Sequence, residues 1–590
     1  MSGGLNNSEI LTEIDSILAS PYFSRSRNLS RFLRFVVEQT LAGQADDLKE
    51  YTIGIRVFER GESFDPRIDP IVRVQANKLR ERLDRYYHHE GSTSGIRLKL
   101  RPGSYVPAFE TPTEAVRRNE PVRASETPSL AVLPFLNLTG DPEFEYFSDG
   151  LSEELIGVVG RITGLRVIAR TSSFAFKGTT SGLEEIGRTL RTNLVLEGSV
   201  RRSAGAIRVT ARLNDVPSGH QIWTRQFDRS LENVFAVQDE IAGQIAGTVH
   251  ESFDRPARLQ PSPRVENLES YRLYLQAWHH WQRNTPESML RSLDLFESAV
   301  MNDPDNAKAQ AGLVIAYCVL ATFGVVSAEI ASAKAIPAAE QAVAAGSDVA
   351  EAWQALGSVR SMLEWEFEAA ADAYERSIKL NPSYALARHA YAVNCLATMG
   401  RADESVAEMR RAVDLDPLSL VANCDLGTLL FLARSYEASI EQYQKALDLD
   451  PHYSRARFEM VYSMLLRGDI LGGLTVFDEH AITEDSVPHV WAIRALALAL
   501  AGKKDESEKA LEDFRARCPN GEFVTSVPAY TLDVLGLRDE ALRTLERQVA
   551  RRDPQLRYLA VDPFSDRFRG EPRFEQLLRQ MNLVGPDARR

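Results

Sequence analysis

The C-terminal half of the chain repeats itself at an interval of 34 residues. Glycines keep this interval over several repeats: Gly400, Gly468, Gly502 and Gly536. Pro417 and Pro451 are one interval apart. A fixed period of this length indicates a supersecondary unit that cannot bury its apolar face alone and stacks on copies of itself. Residues 269–583 are therefore predicted to form an all-α superhelix, with about eight helix pairs between Glu269 and Gln555.

Two stretches carry the repeat most clearly. Residues 420–451 read LVANCDLGTLLFLARSYEASIEQYQKALDLDP, and residues 351–382 form a second copy with one extra residue near the turn between its helices. Both resemble tetratricopeptide repeats, with these residues at the family's signature positions: Leu426, Gly427, Tyr436, Tyr443, Ala446 and Pro451. The resemblance implies a concave groove that binds a protein partner or peptide. The amphipathic tail, residues 562–581, is expected to cap the stack.

Composition and cysteine usage are those of a reduced, globular cytosolic protein. The four cysteines are widely spaced and form no C-x-x-C pair, and the N-terminus has no basic run followed by an apolar run. The uncharged stretch 311–328 has the length of a short membrane span, but its register with the repeats predicts a buried repeat helix. We expect a cytoplasmic protein with no membrane association.

Residues 9–109 contain a helix with one apolar and one polar side. Its apolar stripe recurs at three- and four-residue spacing: Val72, Ala76, Leu79 and Leu83. The opposite side carries Val74, Asn77, Lys78, Glu81 and Arg85. A helix of this kind can enter the major groove of DNA, with Asn77 and Lys78 at base edges and Val74 on a thymine methyl group.

This segment resembles the winged-helix DNA-binding domain of OmpR/PhoB-type regulators. LKEYTIGIRVF matches the positioning helix, VRVQANKLRERLDRYY the recognition helix, and IRLKLRPGSYVPAF the terminal hairpin, with Ser104 in place of a glycine. The resemblance implies an α+β winged helix and double-stranded DNA as a partner. The candidate DNA-binding residues are Val74, Gln75, Asn77, Lys78, Arg80, Arg85 and Arg101.

The acidic residues of the same segment leave a second interpretation open. Glu81, Asp84 and Glu90 dilute the positive charge on which DNA affinity depends. The net charge of −13 confines any nucleic-acid site to one domain. A winged helix that has become a protein-interaction module is therefore the alternative to DNA binding.

Residues 130–250 alternate β-rich runs with helical patterns, which predicts a small α/β domain between two polar, proline-containing linkers, 110–129 and 251–268. The runs AVLPF, YFSDGLSEEL, VLEGSVRR and FAVQDEI resemble the TolB-N-terminal-like domain of bacterial regulators. Some relatives of that architecture carry a separate adenylate cyclase domain, which this sequence lacks. Ser148 and Asp149 are expected to cap the helix that follows them.

The chain contains no phosphate-binding, dinucleotide-binding, zinc-hydrolase or serine-hydrolase motif. We expect no catalytic, metal-binding or cofactor-binding residues, and the doublets His88-His89 and His279-His280 have poor spacing for a shared metal. Three functions stay open: a non-enzymatic DNA-binding transcriptional regulator with a protein partner, a protein-interaction scaffold, and an accessory relative of cyclase-like proteins. The third requires a nucleotide pocket near Asp149 or Lys177.

Overall fold

A computed structural model describes residues 7–583 apart from short gaps, and it divides the chain into two compact units, Met1–Glu126 and Thr127–Arg590. The gaps are residues 21, 24–25, 46–47, 59, 62–63, 65–70, 89–95, 101–104, 111–127, 142–143, 204–205, 231–233, 254–266, 282–284, 481–488 and 519–524. Most of the predicted linkers, 110–129 and 251–268, therefore lies outside the described residues.

In the described part of the first unit, four helices pack with a two-stranded antiparallel sheet. The helices are α1 Asn7–Ala19, α2 Arg27–Leu41, α3 Glu50–Arg56 and α4 Ile71–His88, and the strands are β1 Arg97–Leu100 and β2 Pro107–Glu110. The predicted apolar stripe of α4 is confirmed, because Val72, Ala76, Leu79 and Leu83 are at most 2% exposed. The polar side of α4 is therefore the side that faces away from the core.

The second unit begins with a six-stranded mixed sheet. Its strands are β3 Ser129–Val132, β4 Leu136–Asn137, β5 Arg166–Val167, β6 Leu194–Ser203, β7 Ala206–Asp215 and β8 Gln221–Ser230. The order is β5-β3-β6-β7-β8, with β4 beside the far end of β6. The sheet is parallel across β5, β3 and β6 and antiparallel from β6 to β8. Its helices are α5 Glu145–Val159, α6 Arg170–Phe174, α7 Leu183–Leu190 and α8 Val234–Phe253.

The capping role predicted for Ser148 and Asp149 is wrong. Helix α5 begins at Glu145, so both residues lie within its first two turns and are buried. The buried ring of Phe147 packs into the core of this domain, which draws the preceding residues into the helix. The periodic apolar run therefore starts earlier than the polar residues suggested.

The rest of the second unit is helical. Within the described residues, sixteen helices form eight antiparallel pairs: α9 Leu268–Trp281 with α10 Pro286–Asn302, α11 Ala307–Thr322 with α12 Ala328–Ala345, α13 Ala350–Val359 with α14 Phe367–Leu380, α15 Ala385–Tyr391 with α16 Ala402–Leu415, α17 Leu420–Leu432 with α18 Tyr436–Leu449, α19 Ser454–Leu466 with α20 Ile470–Glu479, α21 His489–Leu500 with α22 Lys504–Arg517, and α23 Val527–Val534 with α24 Arg538–Ala550. These are pairs 1 to 8. The stretch 311–328 lies mostly in α11, whose residues are largely buried, as predicted.

The periodic glycines have a structural reason. From pair 2 onward, the turn between the two helices contains one residue with left-handed backbone: Gly324, Trp365, Gly400, Arg434, Gly468, Gly502 and Gly536. This conformation favours glycine because a Cβ atom is crowded there. The period of 34 residues therefore marks the same turn in successive pairs.

The extra residue of the second copy is absorbed without loss of packing. In both copies a glycine of the first helix lies against a tyrosine of the second, because a Cβ on Gly357 or Gly427 would be 2.9 Å from Tyr374 or Tyr443. Tyr443 lies 16 positions after Gly427, and Tyr374 lies 17 positions after Gly357. Helix α13 continues as a π-helical turn over Arg360–Glu364, which takes up the additional residue.

The stack curves with the first helix of each pair on the inside. The first helices of successive pairs pack on one another, as α11 does on α13 and α21 on α23, whereas the second helices of neighbouring pairs make no comparable contact among the described residues. Helices on the inner side of a curved stack approach one another more closely than those on the outer side. The inner, concave face therefore consists of the first helices.

Solenoid units contact mainly their neighbours, but the repeats of this chain also contact the preceding α/β domain. The Ala169 N–H donates to the Leu415 carbonyl at 2.7 Å, and Ser172 donates from its N–H and hydroxyl to the buried Asp416 carboxylate at 3.0 and 2.6 Å. The α/β domain thus packs on the loops that join successive pairs, at the edge opposite the left-handed turns.

Candidate protein-binding groove

A row of polar side chains lines the inner face of pairs 4 to 6. The Nε2 atom of His389 lies 2.7 Å from Oδ2 of Asp425, whose other oxygen accepts from Arg455, and Arg455 donates to Glu459 at 2.9 Å. Burial alone raises the pKa of Asp425, but Arg455 and His389 together hold that pKa below its usual value. We call these four residues the inner polar row. They form a paired, charged strip on a face that solenoid proteins use for binding.

The last residues of the described chain return to this inner face. Residues 553–583, the C-terminal segment, contain 3₁₀-helices Pro554–Tyr558 and Pro563–Phe568 and helix α25 Pro572–Gln580. Gln555 donates to the Thr322 carbonyl of pair 2 at 3.2 Å, and Asn582 donates to the Trp365 carbonyl of pair 3 at 3.2 Å. Other residues of the segment contact pairs 5, 6 and 8. A segment this short reaches so many pairs because it crosses the concave side.

Phe564 is the centre of the contact with pairs 5, 6 and 8. Its ring centroid lies 6.1 Å from that of Phe431, 6.1 Å from that of Tyr462 and 5.8 Å from that of Tyr530. These three residues come from the first helices α17, α19 and α23, and we call them the aromatic recess. Phe564 is 4% exposed. Aromatic contacts at these separations add to the stabilisation that burial provides.

Charged and polar groups fix the direction of the segment beside the recess. Asp566 forms an ion pair with Arg434 at 2.7 Å, and Arg569 contacts the same carboxylate at 2.8 Å. The Tyr530 hydroxyl donates to Asp562 at 3.2 Å, and Asp562 accepts from the Phe564 N–H at 2.9 Å. The recess and Arg434 therefore hold a short peptide with the pattern Asp-Pro-Phe-Ser-Asp.

Two half-open clefts lie where the C-terminal part of the chain meets the turns of the repeats. One of about 240 Å³ lies between the turns of pairs 4 and 5 and Val561 and Arg569 of the segment, and Arg434 lines part of it. The other, of about 700 Å³, lies between the turn of pair 2 and residues 550–553, away from the recess.

The polar side of α4 is the second candidate site, and the structure places its predicted residues differently. Lys78 is exposed and Gln75 is half-buried. Arg80 is half-buried and donates from Nε to the Leu100 carbonyl at 3.0 Å, which joins α4 to β1. The side chains of Val74, Asn77 and Arg85, and all of Arg101, lie outside the described residues, so their role in DNA binding stays a prediction.

Comparison with known proteins identifies the helical region. A family model for the tetratricopeptide repeat matches residues 421–453, which cover α18 and all but the first residue of α17. The C-terminal region contains tetratricopeptide repeats. This repeat is a protein-interaction architecture, and the inner face described above is its concave surface.

Three relatives resemble parts of the chain. "Putative adenylate cyclase 3" of Rhizobium meliloti (strain 1021) is 38% identical over 201 residues, which cover 33% of each chain. The small glutamine-rich tetratricopeptide repeat-containing protein 2 of Mycosarcoma maydis is 31% identical over 95 residues, covering 16% of this chain and 26% of that protein. A tetratricopeptide-repeat protein of Thermus thermophilus is 18% identical, with a TM-score of 0.28, over 33% of this chain and 99% of that chain. The chain spans about a third or less of the curated relatives it matches.

The α/β domain pairs the two residues named for a nucleotide pocket. Lys177 Nζ lies 2.6 Å from Asp149 and 2.6 Å from Glu145. Asp149 is buried, and the three side chains form a local ion-pair cluster that balances the lysine charge. Within the described ranges, no group of histidine, cysteine or acidic residues has a metal-binding arrangement, and no helix is both long and apolar enough to cross a bilayer.

We expect the stability of the contact between the repeats and the C-terminal segment to depend on pH through Asp562. Burial raises the pKa of Asp562 to about 6; the Phe564 N–H, the Tyr530 hydroxyl and Arg434 oppose this shift, and Asp566 reinforces it. Because the pKa of Asp562 is higher in the folded chain than in the unfolded chain, protonation of this carboxyl stabilises the fold. This stabilisation is complete below the pKa of the unfolded chain and is lost as the pH rises through 6. Between pH 7.5 and 5.5 we expect a gain of about 1 kcal/mol in unfolding free energy relative to Asp562→Asn. Denaturant titrations of both proteins at the two pH values test this, and parallel pH profiles would contradict it.

Proposed function

We propose that the chain is a regulator without catalytic activity that binds a protein partner through its tetratricopeptide repeats and DNA through its N-terminal unit. The observation that carries the proposal is the inner face of the repeats, which carries a polar row and an aromatic recess that already holds a peptide segment. Recognition by a concave repeat surface depends on such grouped side chains rather than on the packing residues of the repeat motif.

Support for DNA binding comes from the arrangement around α4. The buried stripe fixes which side of the helix faces outward, and Lys78 is exposed there. Arg80 and the bond from the Leu98 N–H to the Tyr87 hydroxyl, at 2.9 Å, hold the strand pair against the helix. A rigid helix beside a strand pair presents cations to DNA at a defined spacing.

We expect Lys78→Ala to weaken binding of the full chain to its preferred DNA site by roughly 1–3 kcal/mol and to relax sequence preference at one position. The matched control is Lys49→Ala, an exposed lysine of the same unit outside α4. DNA recovered with the purified full chain is sequenced to define the site, and affinities are then measured at several salt concentrations. If both variants lose the same DNA affinity, or if the full chain shows no salt-sensitive DNA binding at micromolar concentration, the protein-interaction scaffold replaces the DNA-binding regulator as the proposed function.

The name of the Rhizobium relative raises adenylate cyclase chemistry as a competing function. We propose that this chain has none of its own, because its sequence lacks the motifs that place metals and phosphates. The ion pairs of Lys177 support the same view. This lysine, which a nucleotide pocket would require, is already paired with Glu145 and Asp149. Formation of cyclic AMP by the purified full chain, retained through successive purification steps, would overturn this part of the proposal.

A further inference from the structure

We propose that the aromatic recess and Arg434 form a peptide-binding site for partner segments in which an aromatic residue is followed, two positions later, by a carboxylate. The proposal rests on the protein-binding function above and names the chemistry of the partner. The chain's own Phe564 and Asp566 occupy this site when no partner is present. A partner binds by displacing them.

The recess is built from parts that come from separate repeats. Phe431, Tyr462 and Tyr530 lie on three different first helices, and the segment that joins them is distant in sequence from Phe431 and Tyr462. The rings therefore form a receptor surface, and Phe564 lies against it as a ligand side chain does. An aromatic anchor in a pocket with a charged residue at its edge is the usual pattern of a binding hot spot.

The charge next to the recess selects for an acidic residue C-terminal to the aromatic anchor. Arg434 directs two guanidinium nitrogens at Asp566, at 2.9 and 2.7 Å. The pKa of Asp566 is lowered: burial alone would raise it, but the bonds from Arg434 and Arg569 outweigh burial. Arg569 belongs to the segment itself, whereas Arg434 belongs to the repeat and stays at the site when Asp566 is displaced. The site therefore retains a cation for the carboxylate of an incoming peptide.

The neighbouring structure lets this part of the segment exchange while the rest stays bound. A half-open cleft of about 240 Å³ lies along one side of the peptide, beside Val561, Arg569 and Arg434. Further along the segment, Phe568 and Phe574 are fully buried in the end of the stack and stack on each other at 5.5 Å. These anchors keep the tail at the site, so its effective concentration is high and a free peptide competes poorly.

The test uses the full chain with the site opened by Phe564→Ala and Asp566→Lys. The probe is a fluorescein-labelled peptide with the sequence LAVDPFSDRFRGE, residues 559–571. We expect the opened double variant to bind this peptide at least tenfold more tightly than the unaltered chain does, by fluorescence anisotropy. Circular dichroism checks that the double variant is folded, and Arg467→Ala, at an exposed arginine of the next turn, controls for surface charge.

A charge exchange makes the result specific to this site. Adding Arg434→Glu to the opened variant should weaken binding of the native peptide at least tenfold. The same change should strengthen binding of a peptide that has lysine in place of Asp566. If the double variant is folded but binds the peptide no better than the unaltered chain, the proposal is overturned. It is also overturned if Arg434→Glu does not change the affinity for the peptide. If the unaltered chain is a dimer and the peptide dissociates it, the site is occupied by a second copy of the chain. That result also overturns the assignment of a separate partner. If a protein partner binds these variants as well as it binds the unaltered chain, this site is refuted but the proposed protein-binding function is still supported.

Discussion

Phe568→Ala is expected to lower the unfolding free energy of the repeat region by about 3–5 kcal/mol, because it removes a fully buried ring from the end of the stack. Phe568 is 0% exposed and stacks against Phe574, with Tyr530 on its other side. The loss should leave a cavity that the rigid helices of pair 8 cannot close. Denaturant unfolding monitored by circular dichroism measures the change.

The control for this prediction is Phe323→Ala. Phe323 is 53% exposed at the turn of pair 2, so its removal should change the unfolding free energy by less than about 0.5 kcal/mol. Similar small losses for both variants would show that the C-terminal segment contributes little to the stability of the stack. The result would then contradict the anchoring role assigned to Phe568.

Gly198→Val is expected to destabilise the α/β domain by about 3 kcal/mol, since the centre of its sheet has no room for a side chain. A Cβ on Gly198 would lie 2.5 Å from the Phe135 ring and 2.6 Å from the Thr210 carbonyl oxygen of the paired strand. The backbone oxygen cannot move without separating β6 from β7. Thermal unfolding of the full chain, followed at both near- and far-ultraviolet wavelengths, tests this.

Gly157→Ala is the matched substitution in the same domain. A Cβ on Gly157 meets nothing within 4 Å, and the residue lies inside α5, so alanine should stabilise the helix by about 0.5–1 kcal/mol. Destabilisation by both variants would indicate that the effect of Gly198→Val comes from lost backbone flexibility and not from the close contact.

The repeats were predictable because their signals are local and periodic. One turn geometry recurs every 34 residues, and the buried stripe of α4 follows from helical spacing alone. The start of α5 was missed because Ser148 and Asp149 look like capping residues, although burial of Phe147 determines where the helix begins.

The occupied groove was not predictable from periodicity, since it depends on contacts between residues far apart in the chain. Phe564 meets Phe431 only after the stack has curved, and the repeat motif does not specify which residues of the tail then lie in the groove. One signal was present: the tail carries the aromatic residues Phe564, Phe568 and Phe574, more than an exposed cap needs. Nothing in the sequence indicated that Ser172 of the α/β domain would bond to Asp416 of the repeats.

The seven left-handed turns also show where the molecule gives up stability for recognition. Five of them use glycine, and the two exceptions, Trp365 and Arg434, adopt the same backbone at a cost of about 1 kcal/mol each. Arg434 holds Asp566 of the C-terminal segment. Trp365 accepts from Asn582 of the segment through its carbonyl, and its ring lies under Arg552, just before the segment, at 5.4 Å. Glycine at position 434 would relax the backbone and remove the side chain that holds Asp566, whereas glycine at position 365 would relax the backbone, keep the carbonyl contact and remove the ring under Arg552. The preference of the turn for glycine and the contacts made by these two side chains therefore oppose each other.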